Sequence, residues 1–116
     1  MKVKLGNKVI LSRASLAKGI STSVILGLRF RKELKENEAL IMDIGRESRF
    51  GSAIDMMFVF CKITAVWLDK NKKVVDVRVA KPFFYYMPGK RARYVVETNV
   101  KNFRMFKIGQ KLSFSS

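Results

Sequence analysis

The sequence predicts an α+β domain, mainly β, built on an antiparallel, barrel-like sheet with two short helices. Three observations carry that expectation. Roughly seven short apolar or alternating segments are separated by turn residues, as in small all-β architectures. The central segments are apolar at successive positions, which suits strands buried on both faces. Helical spacing occurs in two places and is short in both.

In chain order, Val3 and Leu5 alternate with lysines, and Gly6-Asn7 is a turn signal. Val3–Leu5 and Val9–Leu11 therefore read as an N-terminal hairpin. From Ser12 onward Leu16, Ile20, Val24 and Leu28 recur every fourth residue, which favours a helix. Gly19 and the β-branched residues from Ile20 to Ile25 weaken it, which leaves a shorter helix capped by Ser21, Thr22 or Ser23. Ala39–Ile44 suits a strand, and Gly45 to Ser52 is polar and reads as a loop. Met56–Phe60 and Ile63–Leu68 read as strands buried on both sides. Asp69 to Lys73 is a turn, and Val74–Ala80 follows with Val75, Val77 and Val79 on one face and Asp76 and Arg78 on the other, closing a hairpin. Pro82 to Gly89 is a connection rich in aromatic residues. Arg93–Thr98 is a strand, after which Asn99 can cap a short helix running to Lys107. Gly109 stands where a left-handed stop belongs, and Lys111–Phe114 is a closing strand.

Composition narrows the function. Leu, Ile, Val and Phe make up 38 of the 116 residues, about a third, well above the level at which charged chains stay disordered. No linker or repeat divides the chain, so residues 1–116 read as one domain. The formal charge is +15, from 24 Lys and Arg against 9 Asp and Glu. Residues 1–32 carry +8, residues 33–55 carry −3 and residues 56–116 carry +10, so the basic excess lies at the two ends of the chain. The absence of histidine removes the commonest general base and zinc ligand, and the single cysteine, Cys61, forms neither an internal disulfide nor a thiolate cage. No segment reaches the roughly 18 apolar residues of a membrane helix, and Lys2, Lys4 and Lys8 precede an apolar run too short for a signal peptide. The expectation is a cytoplasmic protein without cofactor, metal or membrane partner, a monomer or weak dimer.

One segment joins charge to aromatic rings. Lys81 to Tyr94 holds five aromatic residues and four cations. Rings that stack on bases beside cations that meet phosphates are what single-stranded nucleic acid requires. Lys81, Phe84, Tyr85, Lys90, Arg91 and Arg93 are therefore the candidate residues for binding RNA or another polyanion, with the four cations expected on one face. The alternative use of the same segment is structural, the rings pinning a long loop to the sheet. Cys61 follows an apolar run and reads as a buried structural thiol, despite the adjacent Lys62. The carboxylate pairs Glu36 with Glu38, and Asp69 with Asp76, lie in lysine-rich turns and read as solvated surface, and no two glycines stand at a phosphate-loop spacing. Met56 to Phe60 reads as a core strand, a partner surface being the alternative.

Taken in order, these pieces resemble the family catalogued as domain of unknown function 192. Gly27-Leu28-Arg29-Phe30-Arg31, Leu34 and Glu38-Ala39-Leu40 resemble its first block. Met56 to Val75 resembles its central apolar hairpin, Trp67-Leu68-Asp69 and Val74-Val75 most closely. Ala92-Arg93-Tyr94-Val95-Val96-Glu97 resembles its alanine-arginine-tyrosine block, and Gly109-Gln110-Lys111-Leu112 its terminal step. Where many members carry a polar tryptophan-methionine-lysine-asparagine-threonine run and a proline-leucine-aspartate step, this chain has Met56-Met57-Phe58-Val59 and Ile63-Thr64. The resemblance implies a mainly β fold with short helices and no catalytic residue to carry over. The leading expectation is thus a small basic domain of unknown molecular function with no evident catalytic apparatus. The alternatives are a binding module for RNA or another polyanion and a protein–protein interaction domain.

Overall fold

A computed structural model describes residues 1–18, 34–57 and 59–115. Its described part is mainly strand. Lys2–Leu5 (β1) and Lys8–Leu11 (β2) form the expected hairpin, with Gly6 at φ 63° supplying the left-handed turn that Asn7 completes. Leu112–Ser115 (β10) returns to the other side of β1, giving a three-stranded sheet ordered β10-β1-β2. Arg13–Lys18 (β3), Glu38–Ser48 (β4), Ile63–Leu68 (β6), Val74–Ala80 (β7) and Ala92–Asn99 (β9) build a five-stranded sheet in the order β3-β4-β9-β6-β7. A two-stranded ribbon pairs Ile54–Asp55 (β5) with Tyr85–Tyr86 (β8).

Several expectations are corrected. The five-stranded sheet ends on β3 and β7, which do not pair, so the sheets do not close into a barrel. Nor is the sheet wholly antiparallel, because β3 runs parallel to β4 in the register Arg13↔Glu38 to Lys18↔Asp43. A parallel pair cannot be joined by a tight hairpin, and β3 ends at Lys18 while β4 begins at Glu38. The four-residue recurrence from Ser12 does not make a helix over residues 13–18, which are extended and pair with β4 as a strand. The shorter helix starting at Ser21, Thr22 or Ser23 lies outside the described residues. Among the described residues there is one short helix rather than two, a 3-10 turn over Val100–Met105. It is capped by Asn99, whose side-chain oxygen accepts from the Lys101 N–H at 2.8 Å. Gly109 at φ 97° ends the following turn, as its position predicts.

Strand β4 runs past the expected Ala39–Ile44 and takes in Gly45 to Ser48, with a register shift between Asp43 and Ser48. Gly45, at φ 82°, donates its N–H to Asp43 Oδ1, a local turn that accommodates the shift. The strand expected over Met56–Phe60 is not formed at the described residues Met56, Met57, Val59 and Phe60. Met57 N–H folds back onto Asp55 Oδ1 at 2.8 Å and Val59 N–H onto Met56 O at 3.1 Å, so the backbone turns after Met56.

Strand β6 shows why its sequence is apolar throughout. Thr64, Val66 and Leu68 face the three-stranded sheet, where Val3, Leu11, Ile41, Val74, Val96 and Leu112 complete one core. Ile63, Ala65 and Trp67 face the opposite side, where Leu34, Ile54, Met56, Val59, Ala80 and Val95 complete a second. The five-stranded sheet is thus the middle of three layers. Trp67 is fully buried and its indole N–H donates to Ser52 O at 2.7 Å, which fixes the 48–53 turn over the sheet. Buried polar groups on β9 and the 3-10 turn are likewise used: Thr98 Oγ1 donates to Glu38 O, and the Asn102 amide donates to Glu36 O and Thr98 Oγ1.

Candidate nucleic-acid interface

Ala80 at the end of β7 is buried, and the chain then leaves the sheet as a loop that doubles back against residues 54–57. Phe83 N–H donates to Met56 O at 2.8 Å and Met56 N–H donates to Phe84 O at 2.9 Å, extending the β5–β8 pairing toward the loop tip. Phe83 takes φ 68°, a left-handed conformation unusual for a bulky aromatic residue and tolerated only where neighbours over-determine it. Its ring stands edge-to-face against Phe60, centroids 5.6 Å apart and planes at 77°.

The loop divides by function of side chain. Tyr86, Met87 and Pro88 turn inward: Tyr86 packs on the second core and its hydroxyl accepts from the Lys81 N–H at 2.8 Å, while Pro88 is buried and its carbonyl accepts from Arg49 Nε at 2.9 Å. Phe83, Phe84 and Tyr85 turn outward, Phe84 being 60% and Tyr85 59% exposed. Phe60, 59% exposed, and Met57 join them from the facing segment. The loop is held by one set of rings and offers another.

The expected cations separate in the same way. Lys81, Lys90 and Arg91 are exposed and have no carboxylate partner among the described residues. Arg93 is different. Its guanidinium makes a two-pronged pair with Asp43, Nε to Oδ1 at 2.9 Å and Nη2 to Oδ2 at 3.2 Å, and lies 5.2 Å from the Tyr94 ring centroid. The hydrogen bond to Asp43 raises its pKa above the ordinary arginine value, burial opposing and the carboxylate charge adding to the rise. Arg93 therefore serves β4 and β9 before it can serve a ligand. Lys72, over the Tyr94 and Phe114 rings, and Arg78, paired with Asp76 at 2.9 Å and over Trp67, are occupied similarly.

The remaining candidates resolve into structural duties. Asp69 Oδ1 accepts from the Asn71 and Lys73 N–H groups and shapes the β6–β7 turn, and Asp76 Oδ2 accepts from the Gly89 N–H. Glu38 Oε1 accepts from the Lys35 N–H, and Glu36 pairs with Lys101 at 3.3 Å. Among the described residues no three His, Cys, Asp or Glu side chains gather as metal ligands. Cys61 is half-buried rather than enclosed, because the chain turns outward at Phe60 and β6 starts only at Ile63. It lines a cleft of about 440 Å³ with Leu34, Lys35, Glu36, Lys62, Asn99, Val100 and Lys101. The sequence reading missed both Phe60, taken as core, and this cleft. Lys62 ending the apolar run was the one signal for the first; the second joins three segments far apart in the chain.

Comparison with known proteins adds the family. The model of domain of unknown function 192, described as an uncharacterized ACR, matches residues 6–114. A UPF0127 protein of Thermococcus kodakarensis is 35% identical over 72 residues, covering 62% of this chain and 46% of the relative. One of Pyrococcus horikoshii is 39% identical over 72 residues, covering 62% of this chain and 60% of the relative. The chain thus spans about half the length of the curated relatives it matches. A solved structure of a protein of unknown function from Novosphingobium aromaticivorans shares the fold at a TM-score of 0.72 and 20% identity, covering 87% of this chain and 74% of that one.

Proposed function

Because the chain belongs to the domain of unknown function 192 family, whose relatives named above bring no assigned chemistry, we propose a function from its surface: a cytoplasmic binding module for single-stranded RNA. One observation carries the reading. Phe60, Phe83, Phe84 and Tyr85 are all about half exposed or more, and the first two are locked edge-to-face. The exposed face of a ring adds little to folding, whereas a ring that stacks on a base gains about 1–3 kcal/mol. Lys81, Lys90 and Arg91, uncommitted to carboxylates, supply phosphate partners close by in sequence, and the net charge of +15 supplies long-range attraction.

The test is retention of a labelled oligouridine against salt. Binding falls linearly in log–log form, and Phe84→Ala weakens it about five- to a hundredfold without lowering the urea midpoint. Absence of binding at about 50 mM salt overturns the reading. So does binding that Phe84→Ala and Tyr85→Ala leave unchanged, which would return the exposed rings to a protein partner.

A further inference from the structure

The cleft beside the aromatic lip has its own chemistry. Lys35 precedes β4, Lys62 precedes β6 and Lys101 opens the 3-10 turn, yet all three line one space of about 440 Å³. That volume suits a small ligand. Its apolar part is Leu34, Val100 and the Cys61 side chain, and its polar part is three lysines with Glu36 and Asn99. Glu36 is the one carboxylate, and it is taken by Lys101 at 3.3 Å. Lys35 and Lys62 have no carboxylate partner among the described residues. The Asn99 side chain is already committed, donating to Leu34 O and accepting from the Lys101 N–H. It holds the wall of the cleft in place.

We infer that this cleft takes a phosphate monoester. The argument is one of charge matching. Two ammonium groups without internal partners call for two negative charges, which a monoester carries near neutral pH and a diester or single carboxylate does not. Lysine, a compact point charge with freely rotating donors, suits the three terminal oxygens of such a group. Cys61 and Lys62 directly follow Phe60, whose ring belongs to the outward lip. A strand stacked on that lip therefore has a route for its terminal phosphate into the cleft. This use of the site rests on the RNA-binding reading above; a free nucleoside monophosphate is the other source of the same group.

The experiment compares oligouridines of about ten residues bearing a 5′-phosphate, a 3′-phosphate or neither, together with adenosine monophosphate alone, on the wild type and the exposed-site variants Lys35→Gln and Lys62→Gln. One terminal phosphate tightens oligouridine binding about tenfold, and either variant removes that gain while leaving the unphosphorylated strand unchanged. If adenosine monophosphate binds and the lysine variants abolish it, with no advantage for phosphorylated strands, the cleft serves free nucleotides and the inference holds. If no oligouridine binds but adenosine monophosphate does in a Lys62-dependent way, the RNA reading fails and the phosphate site stands. If strands bind equally with and without a terminal phosphate and adenosine monophosphate does not bind, the inference is overturned and the RNA reading survives.

Discussion

Tyr85 and Tyr86 are neighbours on one short loop, one carrying its ring into water and the other into the second core. That division follows from the β5–β8 ribbon, which puts Tyr85 and Tyr86 on opposite faces and gives each ring a different environment. Arg93 shows the opposite economy, a cation that sequence places in the binding segment and geometry commits to Asp43. Its raised pKa decides the pH behaviour. A group whose folded pKa lies above the unfolded value contributes its full stability below the unfolded value, which for an arginine is far above neutrality, and loses it only as pH climbs through the folded one. The arginine side of the pair therefore contributes equally across the neutral range. Asp43→Asn is expected to lower the urea midpoint by the same amount at about pH 6 and about pH 9. A loss seen at one of these pH values alone would contradict that assignment. The six candidate residues were legible in sequence as a cluster; that Arg93 differs from its neighbours was not, because Asp43 lies fifty positions away.

Among the elements, β6 bears the most weight. It pairs with β7 in the register Ile63↔Ala80 and with β9 in the register Ile63↔Asn99, and it feeds both cores. Trp67 joins it to the 48–53 turn through the bond to Ser52 O. Trp67→Phe keeps much of the apolar volume but leaves that buried carbonyl without its donor, so a loss of about 1–3 kcal/mol is expected in urea unfolding. A loss below about 0.5 kcal/mol would mean that the turn is held by Ser52 Oγ and its bonds to Ser48 O and Arg49 O instead. The β6–β7 hairpin was readable from residue pattern, since a continuous apolar run, a polar turn and an alternating run specify it locally. Met56–Phe60 was not. An apolar run of five residues has the same composition whether it pairs as a strand or folds into a turn, and the Asp55 side chain that captures Met57 N–H decides the matter.

For the molecule as a whole, the charge of +15 sets how binding responds to salt. If Lys81, Lys90 and Arg91 each meet one phosphate, the log–log slope for a single strand without a terminal phosphate is about −2, and Lys81→Gln makes it shallower by about 0.7. A slope near zero with measurable binding would point to stacking without phosphate contacts. The layered architecture makes this surface possible, because both faces of the middle sheet are covered and the loop carrying the rings is left at the periphery.

The sequence by itself determined the mainly β character, the hairpins at β1–β2 and β6–β7, the Asn99 cap, the Gly109 stop, the double-sided burial of β6 and the joining of charge to aromatic rings in one segment. Each is written in periodicity, turn chemistry or composition, which act over a few residues. The tertiary structure alone decided that β3 lies parallel to β4, that the sheet stays open, that Arg93 is tied to Asp43, and that Phe60 turns outward beside Phe83. It alone brought Lys35, Lys62 and Lys101 to one cleft. These depend on contacts between distant segments, where burial and ion pairing outweigh local preference and no short-range pattern records the outcome.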